Sequence, residues 1–133
     1  MERKATITIR GEDVSYTVRG VWAPTEDGWR LAYDEPAEHG MAGVATVLTL
    51  SEDRAVLTRT GAVRSEFRFD PDAPHTSVYE TPHGSFPAEV ATHALRTRLG
   101  ECGGLFEARY TLTLGGAADE HRLKILIRTE EEV

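Results

Sequence analysis

The chain has 133 residues, a length that suits one core, so a single domain over residues 1–133 is expected. Its 15 Lys and Arg against 22 Asp and Glu give a net charge of −7. That charge opposes docking on phosphate backbones or anionic lipid and removes nucleic acid and membrane surfaces from the expected partners.

Strict alternation opens the chain: Ala5, Ile7 and Ile9 share one face while Thr6, Thr8 and Arg10 take the other, as a half-buried strand requires. Gly11-Glu12-Asp13 supplies a turn. A second strand carries Val14, Tyr16, Val18, Gly20 and Trp22 on one side and breaks at Pro24-Thr25-Glu26-Asp27-Gly28, completing a hairpin. Trp29, Leu31 and Tyr33 begin a third strand that stops before Pro36. Val44 to Leu50 forms a fourth after the turn Glu38-His39-Gly40. Arg54 to Thr60 and Val63 to Phe69 flank Gly61 as strands five and six, with Val63, Phe67 and Phe69 inward. Past Asp70-Pro71-Asp72-Ala73-Pro74, Thr76 to Thr81 is the seventh, ended by Pro82-His83-Gly84. Phe106 to Leu114 alternates cleanly, and after Gly115-Gly116 a last strand runs through Leu123, Ile125 and Ile127.

Ser85 to Leu99 reads two ways. Pro87 early, Glu89 behind it and Gly100 at the end are helix signals, and Val90, Ala91, Ala94, Leu95 and Leu99 approximate a helical stripe. As a strand, the same segment needs a bulge or kink between Val90 and Leu95, which differ in parity, to keep both inside. No repeat or linker divides the chain, and hairpin-length turns favour an antiparallel meander over parallel α/β architecture. The expected fold is all-β: an up-and-down antiparallel β-barrel of about ten strands, whose closure removes exposed strand edges.

The features Tyr33-Asp34-Glu35, Thr46, Arg59-Thr60-Gly61, Tyr79-Glu80-Thr81-Pro82-His83-Gly84, and Gly103-Gly104 followed by Tyr110 occur in an order that resembles the YwiB-like family. These are small bacterial proteins with a calycin or lipocalin-like barrel and no established biochemical function. The resemblance covers almost the whole chain and implies that Ser85 to Leu99 is a strand. Pro87 then suits an edge, a bulge or an irregular start.

Parity also selects candidate site residues. Glu35 shares the face of Trp29, Leu31 and Tyr33, and Arg59 shares that of Ala55 and Leu57, so both point toward the interior or the barrel mouth. Arg59 there either neutralises Glu35 or clasps a ligand carboxylate, whereas at the strand ends the two form a rim ion pair of little worth. Tyr33, Tyr79, Thr81 and Tyr110 add hydroxyls to the same interior, where core packing is the favoured explanation of the tyrosine rings and a ligand role the competing one.

Cys102 cannot form an internal disulfide, and Met1 to Gly20 holds no apolar run of signal-peptide length, so a cytoplasmic location is expected. In Glu101-Cys102-Gly103-Gly104 nothing nearby lowers a thiol pKa, and the residue reads as part of a turn. His39, His75, His83, His93 and His121 lie scattered without ligand spacing, so no metal and no cofactor are expected. No Gly-x-Ser-x-Gly or phosphate-loop motif occurs, and Asp34 and Glu35 alternate faces, so no catalytic residue is assigned. The functional expectation is a small, partly apolar anion bound in the barrel with Arg59 as its charge partner. The competing expectation is a filled barrel that acts through its outside as a homodimer. A hydrolase or isomerase would need a cleft residue with a strongly perturbed pKa.

Overall fold

The computed structural model describes residues 2–36 and 43–130, so the Glu38-His39-Gly40 turn and the end of the acidic run at 131–133 lie outside the described residues. Among the described residues ten strands follow one another: β1 (Arg3–Arg10), β2 (Ser15–Pro24), β3 (Trp29–Asp34), β4 (Val44–Leu50), β5 (Ala55–Gly61), β6 (Ser65–Phe69), β7 (His75–Thr81), β8 (Gly84–Gly100), β9 (Gly103–Leu114) and β10 (Ala117–Thr129). Each pairs antiparallel with its sequence neighbour except β6 with β7, and β1 also pairs with β10. The seam between β6 and β7 is stitched by one bridge, in which Arg64 N–H donates to Glu80 C=O at 2.9 Å and Glu80 N–H returns the bond at 2.8 Å. The result is a nearly closed ten-stranded barrel. β6 starts at Ser65, the last residue paired with β5, and not at Val63, while Arg64 makes the separate bridge to β7.

The alternation read from the sequence places Ile7, Leu31, Leu48, Leu57, Phe67, Phe106 and Ile125 in the core. One end of the barrel is filled. Trp22 is fully buried, stacks on Trp29 with centroids 5.1 Å apart, and donates its indole N–H to Gly100 C=O at 2.8 Å. Phe69 packs against Phe106 at 5.5 Å in the same core. Gly20 is the inward residue opposite Tyr33, and a side chain there would meet Ala32 O and Ile7 Cδ1. The missing Cβ leaves room for the Ile7 side chain and the Ala32 carbonyl and for the close approach of Tyr33 Cβ.

Residues 84–100 form the longest strand, as the family resemblance implied, and the helical reading is overturned. The required irregularity lies between Thr92 and Ala94, where His93 is the extra residue of a β-bulge. Ala88, Val90 and Thr92 face in before it, and Leu95, Thr97 and Leu99 resume the inner face after it. Pro87 pairs with Val78, and its carbonyl accepts from Gly115 N at 3.0 Å. Its absent N–H faces the same side, toward Gly115, one residue past the last β8–β9 partner pair, so the missing donor falls at the end of the ladder and not within it. Among the described residues no helix is long and apolar enough to cross a membrane, a statement that does not bear on crossing by strands.

Candidate functional site

Up-and-down order brings the β1–β2, β5–β6, β7–β8 and β9–β10 turns to the end of the barrel opposite Trp22. Inward residues near that end are only half-buried: Tyr16, Tyr79, Leu112, Leu114 and Leu123 pack on the core while keeping accessible surface. Beneath them runs a polar layer. Thr46 is the cross-strand partner of Tyr33 on one side and of Arg59 on the other, and Arg59 in turn pairs with Ser65. On the facing wall Thr92, Tyr110 and His121 are successive partners on β8, β9 and β10.

Glu35 follows the last residue of β3, and its backbone N–H still reaches Val44 C=O at 2.9 Å, which keeps the strand direction and turns the carboxylate inward. Only 1% of its side chain is exposed. Tyr16 donates to Oε1 at 2.8 Å and Thr46 donates to Oε2 at 2.5 Å. Arg59 Nε lies 3.5 Å from Oε2, an ion pair without hydrogen-bond alignment, and the Arg59 side chain keeps 21% of its surface accessible. The carboxylate thus has donors on both oxygens and a cation beside it, the condition under which a buried charge is tolerated.

The environment tells on the phenols. Burial pushes the Tyr16 and Tyr33 hydroxyls well above the ordinary tyrosine range, and the Glu35 charge pushes them the same way. Burial also raises Tyr110, while the Arg59 charge acts in the opposite direction. Three buried polar atoms have no hydrogen-bond partner among the described residues: Arg59 Nε, Ser65 Oγ and Thr92 Oγ1. All belong to inward positions of this layer.

Of the residues selected by sequence, Glu35, Arg59 and Tyr33 are brought together, with Tyr110 across the lumen. Tyr110 itself packs edge-on against Phe69 at 4.9 Å and stacks on His121 at 5.5 Å. Tyr79 stacks on Phe67 at 6.3 Å and joins the wall above the pair. Thr81 is not an interior hydroxyl: it donates to Gly84 C=O at 3.0 Å and accepts from His83 N at 3.1 Å, closing the β7–β8 turn. Tyr16 is the residue that sequence reasoning missed as a site member. Its inward parity was visible, but its meeting with Glu35 depends on how far β2 runs past the β2–β3 ladder.

The scattered histidines find separate surroundings. His75 sits 3.2 Å from Asp70, His121 lies 3.7 Å from Glu12, and His93 bonds Thr111 at 2.6 Å, while His39 is outside the described residues. Among the described residues no three His, Cys, Asp or Glu side chains are placed to hold a metal. Cys102 is exposed in the β8–β9 turn.

Over residues 2–125 the sequence matches the family described as Domain of unknown function (DUF1934). The chain belongs to that family. It is 25% identical over 104 residues to a protein of Bacillus subtilis (strain 168) described as "Uncharacterized beta-barrel protein YwiB", a match that spans 78% of this chain and 72% of that one. The crystal structure of the Bacillus subtilis protein superposes with a TM-score of 0.86 at 21% identity, covering 98% of this chain and 94% of that one. The likeness establishes the shared barrel, as the YwiB-like resemblance implied.

Proposed function

We propose that the protein is a binding module that takes a small, partly apolar anion at the open end of its barrel, with Arg59 as the charge partner. The observation that carries this reading is the state of Arg59. Its guanidinium is held against Glu35, yet the side chain remains accessible and has no second ion pair or hydrogen bond among the described residues. A guanidinium offers five donors in a planar fork, and one carboxylate at 3.5 Å leaves capacity for a second anion. The half-buried Tyr16, Tyr79, Leu112, Leu114 and Leu123 supply apolar wall above it, as a small-molecule site requires. The filled end around Trp22 restricts the ligand to the mouth side of the polar layer.

The single exposed cysteine supports a reducing compartment, the cytoplasm, as the place of action. The competing reading, a barrel that works through its outside as a dimer, draws on the exposed Val78 and Phe86 of the β7–β8 hairpin. Fluorescence titration with 8-anilinonaphthalene-1-sulfonate, a partly apolar anion, tests the proposal. Saturable binding near one dye per chain is expected, with at least tenfold weaker binding to an Arg59→Gln variant whose near-UV circular dichroism is unchanged. Equal binding to both proteins, or none to either, overturns it, and a stable dimer in light scattering would then favour the second reading.

A further inference from the structure

The outer wall built by β8, β9, β10 and β1 carries a charge opposite to that of the molecule. A groove of about 500 Å³ opens there, lined by Arg10, Arg96, Arg109, Arg122 and Lys124 with Glu107 as its one carboxylate. The rest of the chain is left with ten cations against twenty-one carboxylates. Two like-charged pairs lie directly across the ladders, Arg109 opposite Arg122 and Arg10 opposite Lys124. Like charges in that relation destabilise a sheet unless something neutralises them. Among the described residues little does. Lys124 reaches Glu107 only at 4.0 Å, and no side-chain ion pair or hydrogen bond joins Arg10, Arg96, Arg109 or Arg122 to another described residue. Glu12, beyond the end of β1, accepts from the Arg122 backbone N–H at 2.6 Å and lies against His121.

The hollow has a backbone cause. The bulge at His93 interrupts β8 beside Arg109, and the residue that resumes pairing there is Ala94, too small to fill the space between the arginines. Several guanidinium groups gathered around a small floor suit phosphate oxygens, which arginine binds in bidentate fashion. The ligand must also be compact. A long polyanion would meet the acidic remainder of the surface, and the lining has no aromatic ring on which bases could stack. A short anion samples only the local field, because charges beyond about 8 Å are screened at physiological salt.

We propose that this groove is a second binding site, separate from the barrel mouth, for a compact phosphate-bearing molecule with two or three linked phosphates. Calorimetric titration of the intact protein with inorganic triphosphate tests it. Saturable binding is expected, weakening as salt is raised. The Arg109→Ser/Arg122→Ser double variant should bind at least tenfold more weakly, while Arg68→Ser on the other side of the barrel leaves binding unchanged. Ala94→Glu, which keeps all five cations and puts a carboxylate on the floor, should weaken binding as the double variant does. Relief of the like-charge pair predicts that the double variant is no less resistant to urea than the parent. The proposal is overturned by an unaltered affinity in both groove variants, by an equal loss in Arg68→Ser, or by tighter binding of a twelve-residue oligothymidylate than of triphosphate.

Discussion

Glu35 and Arg59 form an unequal pair: the carboxylate side chain is 1% exposed, whereas the guanidinium side chain keeps 21% of its surface accessible. The inequality predicts which partner is the costlier to lose. In Arg59→Gln the carboxylate stays buried with only the two hydroxyl donors of its own layer, Tyr16 Oη and Thr46 Oγ1, and no cation. Breaking a buried pair in this way costs about 3–5 kcal/mol. In Glu35→Gln the guanidinium can turn toward water, and the loss should be smaller. Urea unfolding of the two single variants and of the double variant measures both costs and their coupling. The double variant should recover much of the loss of Arg59→Gln, and a coupling energy of zero would show that the pair does not interact.

The raised phenols predict a loss of stability in alkali. A tyrosine whose folded-state pKa lies above its unfolded value of about 10 holds its proton in the folded chain while the unfolded chain gives it up. Stability from Tyr16, Tyr33 and Tyr110 is therefore complete below that value and falls as the pH climbs above it. Absorbance at the tyrosinate band should show these residues ionising together with unfolding, not before it. Replacing Tyr16 by Phe removes one proton from that linkage and should flatten the alkaline decline. A smooth titration of all tyrosines in the folded protein would contradict the burial described.

The fold was legible because period-two alternation and turn residues are local signals, and the ends of β3, β5 and β7 fall where Pro36, Gly61 and Pro82 put them. Residues 84–100 were not legible from period alone, since one bulged residue shifts the parity and makes a strand imitate a helical stripe. The inward aim of Glu35 and Arg59 was readable from parity, but their meeting rests on two ladders that carry Tyr33 to Thr46 and Thr46 to Arg59. Register over such distances is set by the whole sheet. The Arg109 and Arg122 pairing was hidden for the same reason, and net charge concealed it further by averaging a basic wall with an acidic remainder.

Gly20 offers a test of how the barrel holds Tyr33. A methyl at this position would enter the space of Ile7 Cδ1 and the Ala32 carbonyl. Overpacking of this kind costs about 1–3 kcal/mol. Gly20→Ala should therefore lower the urea midpoint, and because Tyr33 must move, it should also disturb the near-UV circular dichroism. A parent-like midpoint would mean that β2 and β3 can separate locally without cost.

Thr81 and Arg59 should behave oppositely when each is replaced. The Thr81 hydroxyl makes two bonds within one turn, to Gly84 C=O and from His83 N, and neither faces the polar layer. Thr81→Val should cost about 0.5–1.5 kcal/mol for each bond lost, offset where water can replace a partner in this exposed turn. Anilinonaphthalene sulfonate binding should stay at the parent affinity, in contrast to the loss expected for Arg59→Gln. If Thr81→Val weakens the dye as strongly as Arg59→Gln while the urea midpoint is unmoved, its hydroxyl serves the ligand and the turn assignment fails.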